Sequence, residues 1–309
     1  MIAKTIIQRL LITPFVLLGV VTVTFLLLRL TPGDPAELML HDHGSTKEVQ
    51  ALRNQLGLDY SFGRQYVIFL NHLLHGDLGT SYQNQKKVRD ELFIHLGPTL
   101  WLCLSAVGFA LVAGIPMGLL SAYKENSITD KILSTYTLFG LSVPSFWLAP
   151  VLIILFSIRL NVLPISGRDE GLWSFILPTV TLGFSLSSVI QRITRASVLE
   201  VLHMDYITVA RAKGVKESLV IFKHALKNAL GPIVSVAGLQ VGAIATGVVI
   251  TETIFDWPGL GILLYSGLRS RNYPIVQGCV LIIGFIYVAV NLSTDVIQIL
   301  INPRLGDAS

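Results

Sequence analysis

Leu10-Leu11-Ile12-Thr13-Pro14-Phe15-Val16-Leu17-Leu18-Gly19-Val20-Val21-Thr22-Val23-Thr24-Phe25-Leu26-Leu27-Leu28 runs without a charge between Arg9 and Arg29. As a helix rising ~1.5 Å per residue it covers roughly 28 Å, the thickness of the hydrocarbon layer of a bilayer. Lys4 and Arg9 before the run also suit the start of a signal peptide. The run is long, however, and passes into Arg29-Leu30-Thr31-Pro32-Gly33-Asp34-Pro35 with no small-x-small cleavage site. It is therefore read as a retained helix.

The rest of the chain is built the same way. Hydrophobic residues make up 52% of the 309 residues and charged ones 14%, and the mean hydropathy is +0.66. A globule of this size would have too little polar surface to dissolve, so apolar surface must face lipid. Further apolar runs extend over Leu100 to Tyr123, Ile132 to Ile158, Phe175 to Ile190, Leu230 to Ile250 and Val276 to Ile301, each close to the ~20 residues that a spanning helix needs. The fold class that follows is an all-α membrane protein with six transmembrane helices. Cys103 and Cys279 fall inside predicted spans and read as small apolar residues. The net charge of +4 comes with no basic stripe interleaved with aromatics, which argues against nucleic acid as a partner.

Short-loop charges orient the spans. Lys4, Arg9, Lys124, Lys131, Arg192, Arg195, Arg211, Lys213, Lys216, Lys223, Lys227 and Arg304 all fall on one side of a six-span chain. The positive-inside rule makes that side the cytoplasm, with both termini on it. Residues 31–96 then form an insertion on the outer side, and 200–228 a cytoplasmic loop, within one membrane domain covering 1–309. Trp101, Trp173 and Trp257 sit at predicted outer ends of spans, where interfacial anchors are expected.

The insertion reads as folded. Ser45-Thr46-Lys47-Glu48 is a capping box, Val49, Leu52 and Leu56 share a helical face, and Gly57 supplies a stop. Tyr66, Phe69, Leu70 and Leu73 line one face of a second helix that ends before Gly76. Helices this short must bury those faces against span ends or a partner. Pro116, Pro144, Pro150 and Pro178 interrupt spans. In Gly140-Leu141-Ser142-Val143-Pro144-Ser145-Phe146 the break combines with small and hydroxyl residues, which suits close helix packing or a translocation path lined by Ser142, Pro144 and Ser145. Glu252 and Asp295 lie near span ends.

The cytoplasmic loop contains Asp205-Tyr206-Ile207-Thr208-Val209-Ala210-Arg211-Ala212-Lys213-Gly214. Tyr206, Val209 and Ala210 share one face of a short helix with Lys213 beside them. Gly214 can adopt the left-handed conformation that ends it, and a second helix from about Lys216 to Asn228 returns to the membrane. Such a basic, small-residue pair suits either protein docking or lipid headgroups.

Tyr206-Ile207 through Gly214, then His224-Ala225-Leu226-Lys227-Asn228 and Pro232, resembles the loop signature of binding-protein-dependent ABC importer permeases of the dipeptide, oligopeptide and nickel group. Pro32-Gly33-Asp34-Pro35, Leu56-Gly57-Leu58-Asp59, Gly76-Asp77-Leu78-Gly79-Thr80-Ser81, Thr251-Glu252-Thr253-Ile254-Phe255, Trp257-Pro258-Gly259-Leu260-Gly261, Tyr273-Pro274, Asn291-Leu292 with Asp295, and Pro303-Arg304 resemble the same family in the same order. Departures are small: Asn272 and Asn302 stand where Asp is usual, and Tyr60-Ser61-Phe62 replaces a usual proline. The resemblance covers the whole chain and points to the first of two permease subunits in a bacterial cytoplasmic (inner) membrane.

What it implies is alternating-access import of di- or oligopeptides, with this chain and a second, homologous permease forming the pathway. An extracytoplasmic solute-binding protein delivers the solute, and two cytoplasmic ATPase subunits dock on Asp205, Tyr206, Val209, Ala210, Arg211, Ala212, Lys213 and Gly214. ATP and Mg belong to those subunits. This chain lacks a Gly-x-x-x-x-Gly-Lys-Ser/Thr loop and is read as non-catalytic, with no cofactor and no metal of its own. An intramembrane enzyme is disfavoured because His41, His43, His72, His75, His95, His203 and His224 all lie outside the predicted spans. Five of them are on the outer segment, and His72-x-x-His75 keeps open a permease for nickel or a metal chelate. A membrane sensor or scaffold that transports nothing is the remaining alternative. The topology is testable: cysteines introduced at Lys47 and Arg168 should react with impermeant thiol reagents in whole cells or spheroplasts, and one at Lys216 should stay unlabelled.

Overall fold

The computed structural model describes residues 2–30, 33–39 and 45–301, and the side chains of 11–30, 33–37, 45–240 and 247–298. The readings that fall on Pro32, His41, His43, Asn302, Pro303 and Arg304 lie outside the described residues, as do the side chains of Lys4 and Arg9. Along the chain come α1 (Ile2–Leu30), α2 (Pro35–Met39), α3 (Thr46–Gln55), α4 (Phe62–Leu74), α5 (Val88–Tyr123), α6 (Ile128–Ser142) and α7 (Ser145–Leu152), which runs on as a π-helix to Arg159. Then follow α8 (Leu172–Leu202), α9 (Asp205–Ala212), α10 (Glu217–Leu219), a π-helical segment (Val220–Leu226), α11 (Lys227–Ile254), α12 (Leu260–Arg269) and α13 (Tyr273–Ile301). Among the described residues there is no strand, only an antiparallel bridge between Thr80 and Lys87. The chain is an all-α membrane protein.

Among the described residues five continuous helices are long and apolar enough to cross a membrane, and a sixth crossing requires α6 and α7 to count as one. The run read as a single span over Ile132 to Ile158 is in fact bent by 107°. Proline causes the break twice over. Pro144 has no N–H to donate, and it drives Val143 into extended backbone (φ −86°, ψ 115°). Pro144 then stands at the N-cap of α7, where the missing donor does no harm. The helix read as Phe175 to Ile190 extends to Leu202, so Arg192 and Arg195 are helical rather than in a loop.

The chain divides into two compact units. One comprises residues 1–10, 100–257 and 287–309. Its centre is α8, whose apolar window is 56% buried against 17–33% in the other spanning helices. That burial explains its composition: Thr181, Ser187, Ser188, Gln191 and Thr194 are buried on it. In hydrocarbon, association depends on close packing and interhelical hydrogen bonds rather than on hydrophobicity. Tyr136 and Ser187 hydroxyls lie 2.5 Å apart, Thr137 donates to Gln191 Oε1, and the Ser105 and Thr179 hydroxyls are 2.7 Å apart. Gly114 and Gly118, four residues apart on α5, let backbones meet: a Cβ on either would stand 2.7 Å from the carbonyl oxygen of Ser187 or Gln191. Leu102, Ala106 and Ala110 pack on Leu182, Leu186 and Ile190, with Val248 and Trp257. Trp257 is 0% exposed and packs edge-on to Phe175. It is a core residue, not the interfacial anchor that its position suggested, whereas Trp101 and Trp173 are exposed.

The second unit comprises residues 11–99 and 258–286. The capping box at Ser45 is present, with Glu48 Oε2 accepting from Ser45 N at 2.7 Å. The apolar face of α4 is covered by α1: Tyr66 and Phe69 pack on Phe25, and the Tyr66 and Thr22 hydroxyls are 2.6 Å apart. Buried Asn272 holds the 76–87 loop, accepting from Tyr82 N at 3.1 Å and donating to Ser81 Oγ at 2.8 Å. A carboxylate at this position could accept but not donate.

Gly118→Leu should force α5 away from α8 and destabilise the protein by about 1–3 kcal/mol. A lowered unfolding temperature of the detergent-solubilised chain, beside a neutral outcome for the unobstructed Gly108→Leu, is the expected measurement.

Candidate functional site

Within the first unit, a polar stretch begins where α8 ends. His203 caps it and Met204 turns the chain in extended backbone (φ −77°, ψ 145°) into α9. Asp205 opens α9 and Arg211 lies in its last turn, both in favourable senses for the helix dipole. Ile207, 0% exposed, is the residue that seats this helix. It joins a cluster with Leu119 and Ala122 of α5, Val198 and Val201 of α8, and Val220, Ile221 and Ala225 of the π-helical return.

With Ile207 inward, Tyr206 and Val209 are exposed at 40% and 51% and Ala210 is half-buried. The face that the sequence singled out is therefore the outward one. Gly214 has φ +76° with open space around its Cα, so a side chain there meets backbone strain rather than a neighbour. Lys213 caps α9, and both Lys213 and Ala212 are exposed. Arg211 is not a free cation: its Nη2 and Nε donate to Glu217 at 2.7 and 3.2 Å, which braces the turn. Asn228 Nδ2 donates to the Tyr206 hydroxyl at 2.8 Å, tying α9 to the start of α11. Sequence reasoning missed Ile207, Glu217 and Asn228 as supports; the single apolar residue opposite the small face was the available signal. The second helix expected from Lys216 to Asn228 is not separate, because α10 passes through a π-helical turn directly into α11.

A clasp stands beside this element. Arg195 Nε and Nη2 donate to the two Asp130 oxygens at 2.8 Å each, Ser121 Oγ donates to Asp130, and so does Asn126 N at 3.0 Å. Asp130 is 4% exposed, so a paired charge locks α5, α6 and α8 at the same end as Ile207's cluster.

The other predicted residues meet in a cavity of about 300 Å³. Ser142, Pro144 and Ser145 at the bend line it together with Thr181 and Ser185 of α8 and Gln240 of α11. Glu252 is fully buried. In the second unit His72 Nδ1 is 2.8 Å from Asp77 Oδ2, and His75 Nδ1 is 2.8 Å from the Asn71 carbonyl. Among the described residues no three His, Cys, Asp or Glu side chains converge.

The described helices are thus largely apolar, with the polar helix α9 held against them through Ile207. The chain belongs to the family of binding-protein-dependent transport system inner membrane components, whose model matches residues 114–307, with the N-terminal model of the same systems matching 2–103. It is 40% identical over 289 residues to the glutathione transport system permease protein GsiC of Pectobacterium atrosepticum, covering 94% of each chain. With the dipeptide transport system permease protein DppB of Alkalihalophilus pseudofirmus it shares 38% over 325 residues, covering 96% of this chain and 98% of that one. In fold it is similar to a chain of the MetNI methionine ABC transporter in an inward-facing conformation, at TM-score 0.59 and 18% identity, covering 69% of this chain and 96% of that one.

Ile207→Ala should remove the seat of α9, at about 2–5 kcal/mol for a buried large-to-small change. Hydrogen exchange of the 205–212 amides is expected to accelerate while that of α8 stays unchanged.

Proposed function

We propose that this chain is one of two permease subunits of an ATP-driven importer, carrying di- or oligopeptides through a pathway shared with a second, homologous permease. The observation that carries the coupling part is the seating of α9: Ile207 is locked inward while Tyr206, Val209 and the small Ala210 face outward. A rigid element of this kind transmits rotation of a docked ATPase, where a floppy loop would absorb it. Two cytoplasmic ATPase subunits, holding ATP and Mg, would dock over residues 205–214, with both termini of this chain on that side. An extracytoplasmic solute-binding protein would present the solute.

Ser142, Pro144 and Ser145 are proposed to line the pathway, since they edge a cavity with further hydroxyl and amide groups. A helix sharply bent at proline tolerates that position only where it borders protein or water. The peptide reading is supported by the relatives, one named for dipeptide and one for glutathione transport. The separate engagement of His72 and His75 gives no matching support to nickel.

In the reconstituted complex, Gly214→Val should reduce peptide-stimulated ATP hydrolysis and uptake about 5-fold or more, with membrane insertion unchanged, because a β-branched residue resists φ +76°. Full coupling in that variant would remove the docking role. Replacing His72 and His75 together with Gln should leave peptide uptake unaltered; radioactive nickel uptake that collapses in the double variant, with no peptide uptake in the parent, would establish the metal reading instead.

A further inference from the structure

The second unit, residues 11–99 and 258–286, holds a cavity of about 400 Å³ that the proposed import cycle does not use. Arg29, at the outer end of α1, and Gln277 of α13 both line it. Arg29 is held rather than mobile: its guanidinium carbon lies 3.6 Å from the Phe25 ring centroid, and Nε donates to Gln65 Oε1 at 2.7 Å. Its Nη1 is buried with no acceptor, and so is Nε2 of Gln277, a residue only 9% exposed. Among the described residues no carboxylate pairs with Arg29. The one acid in the lining, Asp77, is occupied by His72 and by the Gly79 amide, which hold its carboxyl below the usual range.

An arginine at a span end commonly reaches outward to water. This one does not, because Nη1 is buried. Two desolvated donors in one cavity lack the acceptor that would offset their burial. Tyr82, on the same wall, is pushed up to about 12 by burial, so its phenol stays neutral. Guanidinium forks match oxyanions such as phosphate. Part of the wall is apolar, with Val21, Ile68, Phe69, Leu73 and Leu281 beside the polar Gln55, Gln65 and Thr80, and α1 is the least buried of the spanning helices, at 17%.

We propose that this cavity binds the phosphate of an anionic phospholipid, with Arg29 and Gln277 donating to its oxygens and an acyl chain lying along the apolar wall. The site would tie the second unit to the leaflet in which it sits, independently of the solute carried.

Native mass spectrometry of the full-length protein, delipidated in detergent and titrated with phosphatidylglycerol, tests this. One retained lipid is expected, bound at least about tenfold more weakly in Gln277→Leu and in Arg29→Gln, and partly restored in Arg29→Lys, a tenfold change being one step of the usual affinity scale. Gln277→Leu leaves the stacking of Arg29 on Phe25 intact, so it decides the matter should Arg29→Gln fail to fold. Retention unchanged in Gln277→Leu and Arg29→Lys would overturn the proposal. So would displacement of the lipid by inorganic phosphate or by a free tripeptide at comparable concentration, since the oxyanion would then come from a soluble source. Tighter retention of phosphatidylglycerol than of phosphatidylcholine supports it.

Discussion

Hydrocarbon offers no hydrogen-bond partner, so every backbone amide that enters it must be satisfied within its own segment. That constraint makes the described residues helical almost throughout, with a few breaks. The bend at Val143 and Pro144 breaks a helix beside a cavity edged by hydroxyl groups. The turns around Met204 and Gly214 break one outside the predicted spans. Proline does this at the bend and glycine after α9, while the turn at Met204 uses neither.

Within the core unit, helix association rests on two devices that do not rely on apolarity. Glycines bring backbones within contact, as at Gly114 and Gly118, and hydroxyl and amide side chains bridge α8 to its neighbours. The same unit continues into the proposed docking element through the cluster around Ile207 and the adjacent Arg195–Asp130 pair. Packing at the end of α8 thereby sets the orientation of α9.

The second unit solves a different problem. Its short helices have apolar faces too small to fold alone, and α1 supplies the missing surface through Phe25 and Thr22. Asn272 pins the loop that follows through two hydrogen bonds of opposite sense. What is left over is the unmatched hydrogen-bonding capacity of Arg29 and Gln277, which sets this cavity apart from the one edged by the bend.

Uncharged runs such as Leu10 to Leu28, the caps at Ser45 and Gly57 and the proline punctuation determined the class, the helical segments and the folded insertion, because span length, capping and backbone freedom are local properties written residue by residue. The order of family motifs pointed to the relatives before any geometry was known. Only the tertiary structure decided that Trp257 is core, that Ile132 to Ile158 turns through 107°, that Arg211 is tied to Glu217, and that Ile207 rather than its neighbours faces inward. Each of these depends on which surface another helix covers, and periodicity along one segment carries no information about its partner. The same reason hid Arg29 and Gln277: they are far apart in sequence, and their shared cavity exists only once α1 and α13 are in place.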